Sequence, residues 1–322
     1  MEFYLREGKL IPKKAWEEEI TKFREETGNV QLAFEDLKEH WLAAFERAIL
    51  LRVEDARRLG SPIGVLFSGG VDSTFVCHVL WKNAIPFTCY TIGFKDPKTK
   101  EPEDIIEARK VAAAYGWQHK ERVLDLEELR PIVEETSRML GDAANPVSVG
   151  VGTVIVAAAQ LAAQDKCKTF FGGLGSEEIF AGYHRHGKAH ARGAGQLDDE
   201  AWRGLSAMYE RDLVRDSRIA AALGIRVHTP FLEPTVIIYA MRMLEEAKIK
   251  SGVKKYVLRK MAEAWGMPHD YAFRPRRAAQ YGSRLHKTID RLASRAGMTQ
   301  DDYIQSLFRS KIAPSRSPAK PL

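Results

Sequence analysis

The sequence predicts an α/β protein with a doubly wound parallel sheet and a helical C-terminal portion. Short apolar runs alternate with amphipathic stretches between about residues 62 and 183, as in sheets whose parallel strands are connected by helices. After about residue 185 the pattern is helical, with turns that contain glycine and proline. We therefore expect an N-terminal helical segment (1–50), an α/β core (51–185), a helical portion (186–308) and a basic tail (309–322) with the composition of a flexible end.

Each element follows from a local pattern. Residues 34–59 form a charged stretch in which Leu37, Trp41, Phe45 and Ile49 recur at helical spacing, which predicts a helix with one packing face. The run IGVLF at 63–67 is short, apolar and bounded by turn residues, which indicates a buried parallel strand. Strands are expected at 63–67, 87–94, 118–124 and 168–171. Helices are expected at 72–83, 103–115, 126–140, 150–164, 199–223, 234–248, 253–265 and 285–296.

The composition disfavours secreted, membrane-spanning, zinc-binding and dithiol redox proteins. The 322 residues are 45% hydrophobic, no stretch of about 18 apolar residues occurs, and the N-terminus is too polar for a secretory signal, so we expect a cytoplasmic protein without a membrane span. Cys77, Cys89 and Cys167 are scattered without a CxxC pair, which argues against a zinc site or a redox dithiol and favours small core residues. The net charge of +6 suits a nucleotide or RNA and decides nothing alone.

The segment SGGVDS, residues 68–73, joins a predicted buried strand to the start of a predicted helix. Such a junction binds anions, because the first helical amides lack partners, the helix dipole favours negative charge, and glycines let phosphate approach the main chain. An ordinary strand-to-helix turn capped by serine is the competing interpretation. The sequence has no GxxxxGK[ST] motif, so a P-loop kinase or ATPase is disfavoured.

A second glycine-rich loop, GGLGSEEIFAGYHRH at 172–186, follows the last core strand. Gly173 and Gly175 suggest a dinucleotide site, but Glu178 occupies the third glycine position of that motif. An acidic pair, Glu177 and Glu178, beside a phosphate loop suits Mg²⁺, which prefers carboxylate and phosphate oxygens. An acidic first helical turn is the alternative.

Five motifs together resemble the synthetase domain of glutamine-dependent asparagine synthetases, which belong to the PP-loop ATP pyrophosphatases. They are SGGVDS, TIGF, GGLGSEEIFAGY, RDLVRDSR followed by TPFLEP, and KKYVLR followed by RPRRAAQYGS, in the family's order over about residues 44–287. The resemblance implies a HUP-like fold that uses ATP and Mg²⁺ to adenylylate a carboxylate, releases pyrophosphate and lets an amine displace AMP. β-Lactam synthetases share this chemistry.

The resemblance also implies roles for individual residues. Asp72 and Glu177 would bind Mg²⁺, and Arg274, Arg276 and Glu178 would be catalytic. The residues implied to bind ATP are Phe67, Ser68, Gly69, Gly70, Val71, Asp72, Ser73, Gly93, Gly173 and Gly175.

The sequence departs from the family in ways that bear on the nitrogen donor and the acceptor. It begins Met1-Glu2, without the family's cysteine at position two and without room for a glutaminase domain, so we expect a stand-alone synthetase that takes nitrogen from ammonia, another amine or a separate glutaminase subunit. Leu174 stands where asparagine synthetases have glutamate and β-lactam synthetases have tyrosine, and leucine cannot accept a proton.

Charges near the substrate also differ. Arg276 replaces the family's catalytic lysine, and the family's Glu-x-Arg-x-Pro-Phe-Leu-Asp segment reads here as residues 226–233, RVHTPFLE. We therefore expect the acceptor to be aspartate or a related acid, and the sequence does not identify which one. His184, His186 and His190 lack ligand partners at metal-binding spacing, so we expect them to be solvated or to contact phosphate, and we assign no transition metal.

Two other functions remain alternatives. A PP-loop enzyme that adenylylates a nucleobase in tRNA suits the basic charge, although sulfur transfer usually needs paired cysteines. A non-catalytic nucleotide-binding protein is the other. The oligomeric state is open as well, with a homo-oligomer among the alternatives.

Overall fold

The structure is a computed structural model that describes residues 2–95, 101–274 and 285–309; the predicted basic tail lies almost entirely outside these ranges. The chain opens with β1 (Leu5–Arg6), β2 (Lys9–Leu10), α1 (Lys13–Thr27) and α2 (Phe34–Arg58). The expected packing face of α2 is confirmed, because Leu37, Trp41, Phe45 and Ile49 are all buried. The helix continues past residue 50, across the predicted boundary of the N-terminal segment.

Five parallel strands form the central sheet in the order β5-β4-β3-β6-β7. They are β3 (Ile63–Leu66), β4 (Thr88–Phe94), β5 (Gln118–Leu124), β6 (Thr169–Phe171) and β7 (Arg226–His228). The chain adds β4 and β5 on one side of β3 and then returns to add β6 and β7 on the other. The prediction of a doubly wound parallel sheet is thus confirmed, and its strand order reverses between β3 and β6, where such sheets bind ligands.

The strand β7 lies in the portion that we predicted to be only helical, so that expectation is wrong here. A segment of three residues is too short to show the alternating pattern of a strand. It is extended because it pairs with β6, with Thr169 opposite Arg226 and Phe171 opposite His228. The segment thus becomes a strand through hydrogen bonds to a part of the chain that is distant in sequence.

The crossover helices of the core are α3 (Val71–Lys82), α4 (Glu103–Tyr115), α5 (Leu126–Leu140) and α6 (Pro146–Ala162). The C-terminal portion contains α7 (Ser176–Ile179), α8 (His184–His190), α9 (Gln196–Met208), α10 (Val214–Leu223), α11 (Pro234–Met241), α12 (Glu245–Lys248), α13 (Tyr256–Ala264), α14 (His269–Ala272), α15 (Leu285–Arg295) and α16 (Gln300–Arg309). A short hairpin, β8 (Ile249–Lys250) and β9 (Val253–Lys254), precedes α13. A helix from 253 was expected there, so the helix begins three residues later than predicted.

Two large buried clusters fill the molecule. One joins α1, α2 and α3 with α11 and α13 and includes Trp41 and Phe75; the other joins α5, α6, α10 and the C-terminal helices and includes Phe170. All three cysteines are buried and free, as expected of core residues. Among the described residues, α6 and the 3-10 turn after it (together Pro146–Asp165) are the one helical segment long and apolar enough to cross a membrane, and 61% of its 18-residue apolar window is buried inside the protein.

Candidate active site

The phosphate loop lies between the end of β3 and the start of α3. Gly69 has φ +64°, and a Cβ there would lie 2.9 Å from the amide nitrogen of Ala108 in α4, so both the backbone conformation and the close packing require glycine. The hydroxyl oxygens of Ser68 and Ser73 lie 3.4 Å apart across the loop. The first amides of α3 thus start at the carboxyl edge of the sheet, as an anion site requires.

The second loop follows β6, which neighbours β3, so the two loops meet. A Cβ on Gly173 would lie 2.8 Å from Cβ of Asp72, and one on Gly175, which has φ +97°, would lie 2.5 Å from Cδ2 of Leu232. Gly173 therefore lets the second loop pack closely against the phosphate loop, and Gly175 lets it pack against Leu232. Direct contact of either glycine with ATP stays a prediction.

Lys255 joins the two loops. Its ammonium Nζ lies 2.8 Å from Oδ1 of Asp72, 2.6 Å from Oε1 of Glu177 and 3.2 Å from the hydroxyl of Ser176. The side chain is only 7% exposed. Burial by itself would lower the pKa of Lys255, but the two carboxylates outweigh it and raise the pKa above its usual value. Asp72 and Glu177, both predicted as metal ligands, are thus brought to one cationic centre.

We did not predict a role for Lys255. The motif KKYVLR was noted, but lysines are common on surfaces, and the adjacent Lys254 is exposed. Lys255 differs from it in burial and in backbone conformation, because it is buried and adopts φ +55° immediately before α13. Gly182 is a second missed residue, because a Cβ there would lie 1.5 Å from Oε2 of Glu177 and 2.4 Å from Cε of Lys255.

The donor set suits magnesium. Mg²⁺ in nucleotide sites typically takes one or two carboxylates and completes its shell with phosphate oxygens and water. Asp72 and Glu177 supply two carboxylates that already converge on a positive charge beside the phosphate loop. Within the described ranges, histidines, cysteines and acids do not gather in threes as a fully protein-bound metal would require.

Glu178 lies apart from this centre. Its carboxylate is fully buried and pairs with Arg211, with Arg185 at 3.9 Å, while the neighbouring Glu177 faces Lys255. Burial, the largest influence, raises the pKa of Glu178 to about 7. The structure thus separates the acidic pair into one group in the site and one in the helical portion, and a catalytic role for Glu178 stays a prediction.

The arginine segment approaches the phosphate loop through α13. Arg259 donates from Nη1 to the carbonyls of Ala272 (2.7 Å) and Arg274 (3.0 Å), which holds the chain after α14. Arg274 pairs with Glu107, at 2.9 Å, in the α4 turn against which Gly69 packs. Arg276 lies outside the described residues, and its predicted role stays a prediction.

Phe67 and Gly93, which were expected to contact adenosine, and His186 are the remaining predicted residues that the structure locates. Phe67 is buried with its ring edge-on to Trp117, 6.1 Å between centroids. The Cβ direction of Gly93 is filled by Ile105, at 2.6 Å, so a side chain there would collide with α4. His186 was expected to be solvated or to contact phosphate, but it is fully buried in α8, so solvation is wrong for this residue.

Comparison with known proteins identifies the family of this chain. The sequence model of the asparagine synthase family matches residues 43–198 and 187–317, which covers both loops and the Lys255 segment. The chain belongs to the asparagine synthase family. The resemblance seen in the sequence is therefore confirmed.

The curated relatives show how much of the chain is similar to known asparagine synthetases. The chain is 26% identical to a putative glutamine-hydrolysing asparagine synthetase 1 of Methanocaldococcus jannaschii, over 87% of this chain and 56% of the relative. It is 31% identical to the glutamine-hydrolysing asparagine synthetase of Gallus gallus, over 79% of this chain and 45% of the relative. The chain thus spans about half the length of the curated relatives it matches. NMN synthetase from Francisella tularensis aligns over 91% of this chain and 99% of its own at 10% identity, with a TM-score of 0.38.

Proposed function

We propose that this family member is an ATP-dependent ligase that adenylylates a carboxylate, releases pyrophosphate and forms an amide with ammonia or another amine. The convergence of Asp72, Glu177 and Lys255 at the end of the phosphate loop carries the proposal. Two carboxylates and a buried ammonium beside the N-terminus of α3 form a site for a polyanion together with its metal counter-ion.

Each group has a distinct task in this reaction. The amides at the start of α3 and the hydroxyls of Ser68 and Ser73 bind the β- and γ-phosphates. Asp72 and Glu177 would hold Mg²⁺, which supplies charge neutralisation on the phosphate oxygens. Lys255 is kept protonated by its two carboxylate partners. It donates a hydrogen bond to the leaving pyrophosphate as negative charge develops there.

The proposed reaction has two steps. The acceptor carboxylate oxygen attacks the α-phosphorus, the bond to the bridging α,β-oxygen breaks, and pyrophosphate leaves with the electron pair. An amine then attacks the acyl carbon, the bond from that carbon to the AMP oxygen breaks, AMP leaves with the electron pair, and the nitrogen releases a proton to water. We propose aspartate or a related acid as acceptor; with Leu174 and the RVHTPFLE segment in place of the family residues, the acid is the least constrained part of the proposal.

The test follows AMP and pyrophosphate from purified protein with Mg·ATP, ammonium and individual amino acids or dicarboxylic acids. We expect AMP and pyrophosphate in equal amounts, dependent on one acid, and a loss of at least about 100-fold in Asp72→Asn. Asp142→Asn is the matched control, because Asp142 is an exposed aspartate whose carboxylate pairs with Arg218 on the surface.

The outcomes separate the alternatives. Acid-dependent AMP release that disappears in Asp72→Asn and persists in Asp142→Asn supports the ligase. AMP release that requires tRNA instead of an acid would favour the nucleobase-modifying alternative. ATP binding without AMP under every condition would overturn the ligase proposal in favour of a nucleotide-binding protein.

A further inference from the structure

A cavity of about 190 Å³ runs along β7 and reaches the second loop. Leu174 forms part of its wall, and the preceding residue, Gly173, packs against Asp72 of the phosphate loop. The strands β3 and β7 are two places apart in the sheet, which corresponds to about 10 Å. The cavity is therefore close enough to the phosphate loop to hold a second substrate of the reaction proposed above.

Most of the cavity wall is apolar. Its apolar side chains include Leu5, Leu174, Leu213, Ala220, Ile225 and Val227. An apolar cavity of about 150 Å³ inside a protein can bind benzene, so this cavity has room for an apolar group of about six to eight carbon atoms. Ala221 and Arg226, which also line it, are exposed, so a ligand can enter the cavity from the surface.

The charged residues of the wall favour a cationic ligand. Asp55 and Asp216 line the cavity, and each keeps 15% of its side chain exposed, so neither is sealed in the interior. Glu2 lines it as well, but its carboxylate is paired with Arg52 at 2.7 Å. A ligand carboxylate would be repelled by Asp55 and Asp216, whereas a ligand ammonium would be attracted.

Asp216 is only partly neutralised by its protein partner. Its Oδ1 accepts a hydrogen bond from Nε of Arg215 at 2.6 Å, but Nη1 of Arg215 also donates to Oδ1 of Asp212 at 3.1 Å. One guanidinium thus serves two carboxylates. Burial, the largest influence, raises the pKa of Asp216 above its ordinary value, which shows that the ionised carboxylate lacks sufficient compensation. A ligand ammonium in the cavity would supply more positive charge.

We propose that this cavity binds the nitrogen donor of the reaction, and that the donor is a primary amine with a compact apolar group instead of ammonia. The proposal rests on the proposed ligase function and names the class of its amine. The apolar group lies against Leu174 and Leu213, and Asp216 attracts the ammonium. The ammonium gives one proton to water before it attacks, and a second proton leaves the nitrogen as the amide forms. Leu174 keeps the loop side of the cavity apolar, where the family's glutamate would be charged.

Binding to the cavity can be measured without the ligase reaction. Isothermal titration calorimetry compares benzylamine, benzyl alcohol and phenylacetate, which share a benzyl group and differ in charge. We expect benzylamine to bind at least about tenfold more tightly than either of the others. Asp216→Asn should remove most of this preference, and Arg215 keeps Asp212 as a partner in that variant. Asp142→Asn, which changes an exposed aspartate paired with Arg218, is the matched control and should keep the preference.

Two further variants test the cavity in the reaction. Ala220→Phe places a ring in the cavity from α10, so it should weaken benzylamine binding at least about tenfold while ATP–pyrophosphate exchange stays within about twofold of the native rate. Ala113→Phe, at an exposed position of α4, is its matched control. The native protein should use benzylamine with a kcat/KM at least about tenfold above that for ammonia, and Leu174→Glu should shift this ratio about tenfold towards ammonia.

Three results would overturn this assignment: tighter binding of phenylacetate than of benzylamine, which would give the cavity to the acid; benzylamine binding that Ala220→Phe leaves unchanged; or a native kcat/KM that is higher for ammonia than for benzylamine. AMP and amide formation with ammonia, without any binding of benzylamine, would remove this assignment alone and keep the ligase. Benzylamine binding without AMP release under any condition would overturn the ligase proposal, and with it the role of the amine as nitrogen donor.

Discussion

Replacing Lys255 by methionine probes the centre of the site directly. Methionine keeps most of the side-chain volume and removes the ammonium that separates Asp72 from Glu177. Without it, two carboxylates with side-chain exposures of 11% and 33% face each other without their shared cation. Each then loses a charge-assisted hydrogen bond, and their mutual repulsion is uncompensated.

The expected cost follows from burial. Removing one partner of a buried ion pair typically costs about 3–5 kcal/mol, because the remaining charge stays desolvated. Since Glu177 is a third exposed, water screens part of the effect, and we expect about 3 kcal/mol for Lys255→Met at neutral pH. Lys254→Met, an exposed neighbour, should change the free energy of unfolding by less than about 0.5 kcal/mol.

Urea unfolding with EDTA and with Mg²⁺ measures this cost. If Asp72 and Glu177 bind Mg²⁺ as proposed, the ion must compete with the ammonium of Lys255 for these carboxylates in the native protein, but not in Lys255→Met. Magnesium at about a hundred times its Kd should therefore return about 2.7 kcal/mol to the variant, and less to the native protein.

The pH dependence has a defined sign. The pKa of Lys255 is raised above 10.5, so its contribution is fully present below the unfolded-state pKa and is lost only as pH rises beyond it. The difference between native protein and Lys255→Met should stay constant from pH 6 to 9 and shrink only above about pH 10.4. Equal stability of the two proteins in EDTA, with equal responses to Mg²⁺, would refute the reasoning.

Three further substitutions test residues in and near the site. Gly182→Ala places a methyl group 1.5 Å from Oε2 of Glu177, so the carboxylate must move, and we expect AMP formation to fall about 100-fold in initial-rate assays over a Mg²⁺ titration. Burial raises the pKa of Glu178 from 4.5 to about 7, so folding favours its protonated form. As pH rises from about 4.5 to above 7, the free energy of unfolding of the native protein should therefore fall by about 3 kcal/mol relative to Glu178→Gln. Urea unfolding at pH 5 and pH 8 measures this difference. Arg259→Lys removes the fork that holds the carbonyls before the arginine segment, and steady-state kinetics should show about a tenfold loss in kcat/KM for ATP with about 1–2 kcal/mol of destabilisation.

Each of these has a control or a contrary result. Gly187→Ala adds a methyl group in α8 with no described atom within 4 Å, so it should leave the rate unchanged; equal rates in Gly182→Ala would show that the steric argument is wrong. A difference between Glu178→Gln and native protein that does not vary with pH would contradict the raised pKa. Normal ATP kinetics in Arg259→Lys would mean that the arginine segment does not depend on this fork.

The sequence alone indicated the parallel sheet and the two loops, because their signals are local. The helix and strand periods arise within a few residues, and the anion site needs only a buried strand, glycines and a helix start in succession. Where the signal was not local, prediction failed. The strand Arg226–His228 was missed because its conformation depends on pairing with β6, and a three-residue segment carries no period of its own.

What only the tertiary structure decided is which side chains meet. Lys255 lies 183 residues from Asp72, and His228 lies 226 residues from Glu2, yet each pair shares a hydrogen bond. The adjacent acids Glu177 and Glu178 read alike in sequence, but the short α7 directs them to different surroundings, one to Lys255 and one to Arg211. The physical reason is that partner choice depends on strand order and helix placement: parallel strands bring distant loops to one edge of the sheet, and no local pattern encodes that distance.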